Sequence, residues 1–228
     1  MHIKSILTST ALLISSIFST AAHAVTYKGI EFPAGDISFA DSLVSYTPSF
    51  GGGNVPTDTN YTDPSKALGA PDYQSPNGSV SLGDGGRIIL EFVDNFLTGS
   101  SLTGVADGIF DLHIFEIGGA VEATDVHISK DGSVWESVGR VNGSVSSIDI
   151  DLFGFSVSDQ FRFVQLTDVK GLNGTTGSTV GADIDAVGAI STVINPNPGT
   201  SPVPDSGSSF LAFLISLAGI VAFTKRKR

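Results

Sequence analysis

Polar and apolar positions alternate along this chain over short stretches. Phe110, Leu112 and Ile114 are separated by Asp111 and His113, and Val126 and Ile128 alternate with Asp125 and His127. Successive side chains of an extended strand point to opposite faces, so a period of two marks a strand buried on one side. Arg87–Val93, Phe110–Glu116, Thr124–Ser129 and Gln160–Thr167 are short, rich in β-branched and aromatic residues, and read as strands. Between such segments fall Asn77-Gly78, Asp84-Gly85, Asp107-Gly108, Asp131-Gly132, Asn142-Gly143 and Asn173-Gly174. Asn and Gly accept the positive φ of tight turns, so each pair predicts a reversal of the chain. No amphipathic helix interrupts the series. The pattern predicts an all-β domain, a single jelly-roll-like β-sandwich, with a closed barrel as the alternative.

Residues 48–76 break the alternation. The Gly51-Gly52-Gly53 run and the polar, Pro-containing sequence around it predict a long loop, and long loops in compact domains are commonly functional or disordered. Tyr61 and Tyr73 lie in this loop and are candidates for stacking on a sugar ring; ordinary loop packing is the alternative. Trp135 is expected in the core.

Both ends depart from the pattern. Lys4 precedes a mostly apolar run from Ile6 to Phe18, followed by Ala22-His23-Ala24. That arrangement predicts a secretory signal peptide cleaved after Ala24, because the apolar run is too short to span a bilayer. At the other end, Val203-Pro204-Asp205-Ser206-Gly207 precedes an apolar run from Phe210 to Phe223 and the basic stop Lys225-Arg226-Lys227-Arg228. Crossing a hydrocarbon core takes about 20 apolar residues. This run is shorter and diluted by Ser216 and Gly219, so its transmembrane helix is marginal, with the basic end in the cytoplasm. The expected division is 1–24 signal peptide, 25–194 β-sandwich, 195–202 linker and 203–228 sorting signal. A permanent C-terminal anchor is the other reading of the tail.

The tail resembles the PEP-CTERM class of bacterial sorting signals, in a Val-Pro-Asp-Ser-Gly variant. It departs from the usual Val-Pro-Glu-Pro at Asp205 and Ser206. The resemblance covers 203–228 only. It implies an exosortase-type sorting protease as partner, besides signal peptidase, and transient residence in the inner membrane through the C-terminal helix. It further implies delivery to the cell surface or extracellular matrix of a Gram-negative, polysaccharide-secreting bacterium.

Composition narrows what the domain can do. The chain has no Cys, so an exported domain must stand without disulfides. Its net charge is −11, and five of its basic residues (Lys4 and the four of the basic stop) belong to the terminal signals. Such acidity excludes nucleic acid as partner, since phosphate binding relies on clustered Lys and Arg. The acidic side chains Asp72, Asp84, Asp111, Glu116, Asp183 and Asp185 are candidate metal ligands, and calcium suits an all-oxygen set. Asp183 and Asp185 stand two apart, on one face of an extended strand. The competing reading is that these carboxylates cap turns and accept from backbone amides.

Catalysis is the weakest expectation. His2 and His23 leave with the signal peptide, while His113 and His127 sit on the polar sides of strands and are expected at the surface. No Gly-x-Ser-x-Gly elbow occurs. No catalytic residue is assigned.

A second resemblance spans most of 41–190. Ala67-Leu68-Gly69-Ala70-Pro71-Asp72, Ser129-Lys130-Asp131-Gly132 with Trp135, and Gly181-Ala182-Asp183-Ile184-Asp185-Ala186 stand in the order of bacterial surface proteins with a discoidin-like, galactose-binding-like sandwich. Members of that group often bind glycans or calcium. The expected function is an exported surface or matrix protein whose sandwich binds extracellular polysaccharide, with calcium as the candidate ion and without catalysis. A structural matrix protein with no small ligand, or a secreted hydrolase, are the alternatives.

Overall fold

A computed structural model describes residues 23–118, 121–143, 146–172 and 174–198. The expected signal-peptide core, the motif Val203–Gly207, its helix and Lys225–Arg228 lie outside the described residues. No helix among the described residues is long and apolar enough to cross a membrane.

The chain forms β1 (Val25–Tyr27), β2 (Ile30–Phe32), β3 (Ser42–Thr47), β4 (Val80–Ser81), β5 (Arg87–Glu91), β6 (Asn95–Leu97) and β7 (Leu112–Glu116). It continues as β8 (Val121–Ser129), β9 (Glu136–Gly143), β10 (Ser147–Ile148), β11 (Phe163–Asp168), β12 (Asp183–Ala189) and β13 (Thr192–Ile194). One sheet has the order β3-β5-β11-β8-β9 and the other β10-β7-β12-β4, with every pairing antiparallel. The two sheets share one apolar core: Ile88, Leu90, Val126, Ile128, Val164 and Leu166 from the first meet Leu112, Ile114, Ile148, Ile184 and Val187 from the second. Two sheets packed across one core, each with open edges, make a sandwich rather than a closed barrel.

The alternation that marked the strands decides which side chains enter that core. In β8, Val126 and Ile128 are fully buried while Asp125 and His127 between them are only partly so. β7 starts at Leu112, not Phe110, whose side chain is exposed. The glycines of all six turn pairs, from Gly78 to Gly174, have positive φ, as the turn reading requires.

The side of the second sheet away from this core is not bare. The β1–β2 hairpin turns through Lys28 and Gly29, both at positive φ, and lies over it. Phe32 and Phe39 pack there against Phe115 and Ala186, with ring centroids of Phe32 and Phe39 4.7 Å apart. This cover changes the setting of His113. Its ring packs edge-on against Phe115 at 4.5 Å, its Nδ1 lies 2.6 Å from Ser147 Oγ, and burial lowers its pKa to about 4. A strand position that looked solvent-facing in one dimension is thus half-buried by a segment some eighty residues earlier in the chain. Trp135 differs the other way: it is partly exposed and no member of the core.

Candidate functional site

The long loop is ordered by its own polar side chains. Asp58 Oδ1 accepts from Asn60 N at 3.0 Å and Asp63 Oδ1 from Ser65 N at 3.0 Å, each capping a single 3-10 turn (Thr59–Tyr61 and Pro64–Ala67). Short side-chain acceptors compete well for local amides, which is why Asp starts both turns. The loop then leans on the segment before β12: Thr57 N and Asp58 N both donate to Ser178 O, and Asn54 Nδ2 to Thr175 O at 2.8 Å.

This folding brings the two candidate tyrosines together. The Tyr61 and Tyr73 hydroxyls are 3.2 Å apart, and both side chains are partly exposed. Tyr73 stands between two residues lining an open groove of about 410 Å³, bounded by Lys66, Asp72, Gln74, Ser75, Asn77 and Gly78. The lining offers amide, hydroxyl, carboxylate and ammonium groups at a wet surface. That is the complement a sugar's hydroxyls require, though neither tyrosine is among the lining residues.

The six candidate metal ligands are divided between the two ends of the sandwich. Asp111 precedes β7 and Glu116 closes it, so a whole strand separates them. At the Glu116 end, burial pushes Glu116 up to about 8 and Glu122 up to about 7, with the Asp183 charge adding to each shift. Both Glu116 oxygens accept from Glu122 N, at 2.8 and 3.0 Å. Asp183 is held by the Ser81 hydroxyl opposite it, and burial raises its pKa. Asp84 Oδ1 accepts from Gly171 N at 2.7 Å, stitching two loops together.

Asp185 sits where β12 bulges, the register against β7 shifting between Ile184 and Ala186. The bulge keeps Asp183 and Asp185 both off the core face, yet each has its own partners. Asp185 Oδ1 accepts from Asp72 N and Tyr73 N at 3.0 and 3.1 Å, and Oδ2 meets Lys28 Nζ at 2.8 Å. Asp185 therefore holds the tyrosine-bearing segment in place, while the Asp72 carboxylate itself points to the groove.

At the Asp111 end, three other carboxylates gather. One oxygen from each of Asp107, Asp149 and Asp151 lies within 4.8 Å of the others. Asp149 accepts from Asp151 N at 3.0 Å, opening the 3-10 turn Ile150–Phe153, and Asp111 Oδ2 accepts from Ile150 N at 2.9 Å inside the same turn. Burial pushes Asp111 up to about 6, against the lowering influence of the Ser191, Ile150 and Ser100 donors, the Asp151 charge adding a smaller rise. Sequence reading missed Asp107, Asp149 and Asp151. The available signal was the spacing of Asp107 with Asp111 and of Asp149 with Asp151, each in a turn-rich stretch.

A smaller cavity of about 240 Å³ lies among Lys130, Asp131, Val134, Glu136, Phe155 and Phe161. Trp135 is flanked by two of these residues.

No family model and no curated protein matches the chain. Among solved structures, the C-terminal domain of a chitobiase from Bacteroides fragilis superposes with a TM-score of 0.40 at 16% identity, over 69% of this chain and 97% of that domain. A likeness this loose says nothing about function.

Proposed function

We propose that this chain is an exported, exosortase-sorted surface or matrix protein whose sandwich binds extracellular polysaccharide without catalysis. The observation that carries the binding reading is the polar groove of residues 66–78, with the Tyr61–Tyr73 pair joined to it through Tyr73, which lies in the chain between the lining residues Asp72 and Gln74. Tyrosines give a flat apolar face with a hydroxyl at its edge, and the groove supplies hydrogen-bonding groups of both kinds. Asp185 supports the reading as a positioning residue, since it fixes the backbone of Asp72 and Tyr73.

The sorting half of the proposal rests on the tail residues Val203–Gly207, Phe210–Phe223 and Lys225–Arg228 and on Ala22-His23-Ala24 near the start. The jelly-roll connectivity is supported by strand order: β4, β5, β7, β8, β9, β10, β11 and β12 alternate between the sheets except at the β8–β9 hairpin.

The test is binding of the purified full-length chain to the exopolysaccharide of its own host and to a glycan array. Saturable binding, lost with Tyr61→Ala and Tyr73→Ala, is the expected result. A chain that binds no glycan would leave the structural matrix role in its place.

A further inference from the structure

We propose that Asp107, Asp149 and Asp151, with Asp111 beside them, form a calcium site that clamps the β6–β7 connection to the segment following β10. The site is separate from the glycan groove and does not depend on that reading.

The distances suit the ion. Calcium holds oxygen ligands at about 2.3–2.6 Å, so two ligands on opposite sides stand roughly 5 Å apart. The three carboxylates offer oxygens that lie within 4.8 Å of one another. The donor set is all oxygen, and the chain has no Cys, which argues against softer metals.

One buried atom points the same way. Asp151 is 2% exposed, and its Oδ1 has no hydrogen-bond partner. A buried carboxylate oxygen without donor or counter-charge is costly, and a bound ion is one of the few things that relieves it. The donors that do reach the group are neutral. Ser100 Oγ bonds Asp107 Oδ1 at 3.2 Å and Asp151 Oδ2 at 3.0 Å, Ser101 N bonds Asp151 Oδ2 at 2.8 Å, and Ile109 N bonds Asp107 Oδ1 at 2.9 Å. These bonds orient the carboxylates without neutralising them.

Gly99 completes the arrangement. A Cβ there would collide with Asp151 Oδ1 and come within 2.9 Å of Phe155 O, so the close approach of this carboxylate to the backbone requires glycine.

Calorimetric titration of the full-length chain with calcium chloride tests the site, together with melting in calcium and in EDTA. One calcium per chain and a Tm raised by roughly 5–10 °C at saturation are expected. Asp107 is exposed, so Asp107→Asn is expected to weaken binding at least tenfold while melting like wild type in EDTA. Asp72→Asn, in the groove, should bind calcium as wild type does. No heat and no Tm shift up to about 10 mM calcium, above the range of weak extracellular sites, would overturn the proposal. So would undiminished binding by Asp107→Asn, or equal loss in both variants.

Discussion

Lys28 Nζ lies 2.8 Å from Asp185 Oδ2, joining the N-terminal hairpin to the bulge of β12. The two partners are unequal: the Lys28 side chain is 52% exposed and that of Asp185 is 0%. Although Lys28 is exposed, its removal leaves the buried Asp185 Oδ2 without donor or counter-charge, which costs more than breaking a pair of exposed charges. Losing Asp185 also strands the amides of Asp72 and Tyr73, at roughly 1–3 kcal/mol for an unsatisfied group. Urea unfolding should therefore show both variants destabilised, Asp185→Ala by stranding two amides and Lys28→Met by stranding a buried carboxylate oxygen. A neutral Lys28→Met would mean that water takes the place of the cation at Oδ2.

Stability should fall as pH rises above neutrality. Glu116 is held at about 8 by burial and Glu122 at about 7, whereas unfolded Glu titrates near 4.3. In that interval the folded chain keeps protons that the unfolded chain has released, so raising pH favours unfolding. His113, lowered to about 4, has the opposite effect, but its unfolded form, titrating near 6.5, is largely neutral above about 7.5. Melting between about pH 7.5 and 8.5 isolates the carboxyl effect. Tm is expected to drop across that window in wild type and to stay flatter in Glu116→Gln.

The glycan groove predicts a graded series. Tyr73→Ala removes the ring beside the groove and should weaken polysaccharide binding roughly tenfold, about 1.4 kcal/mol. Tyr73→Phe, which keeps the ring and loses only the 3.2 Å hydroxyl contact to Tyr61, should lose less. Affinity electrophoresis in gels containing the polysaccharide resolves such differences. Trp135→Ala, next in the chain to Val134 and Glu136 of the separate 240 Å³ cavity, serves as a comparison and should leave binding unchanged.

Processing can be read directly by mass spectrometry of the protein from its host. The mature chain is expected to begin at Val25, which is also the first residue of β1. Its C-terminus is expected to lie upstream of Phe210. A mature form retaining Lys225–Arg228 would make the tail a permanent anchor.

Burial follows from periodicity where neighbours in sequence decide it. Val126 and Ile128 face the core because a strand has two sides and only one was apolar. His113 shows where this stops. Its strand position was legible, but the cover of Phe32 and Phe39 packed on the neighbouring Phe115 comes from a segment more than seventy residues earlier in the chain. The tyrosine pair was legible as two residues of one loop; their contact depended on Asp185 holding Asp72 and Tyr73 from across the molecule.

By itself the sequence determined the all-β character, the turn positions and the acidity, since each depends on local backbone preference or simple composition. The tertiary structure alone decided which carboxylates share a space. Asp72, Asp84, Asp111, Glu116, Asp183 and Asp185 looked like one set and are spread over the sandwich, whereas Asp107 meets Asp149 and Asp151 from a different loop. The β7–β10 pairing, with Leu112 opposite Ile148, brings those loops together, and such long-range register leaves no periodic trace in the chain.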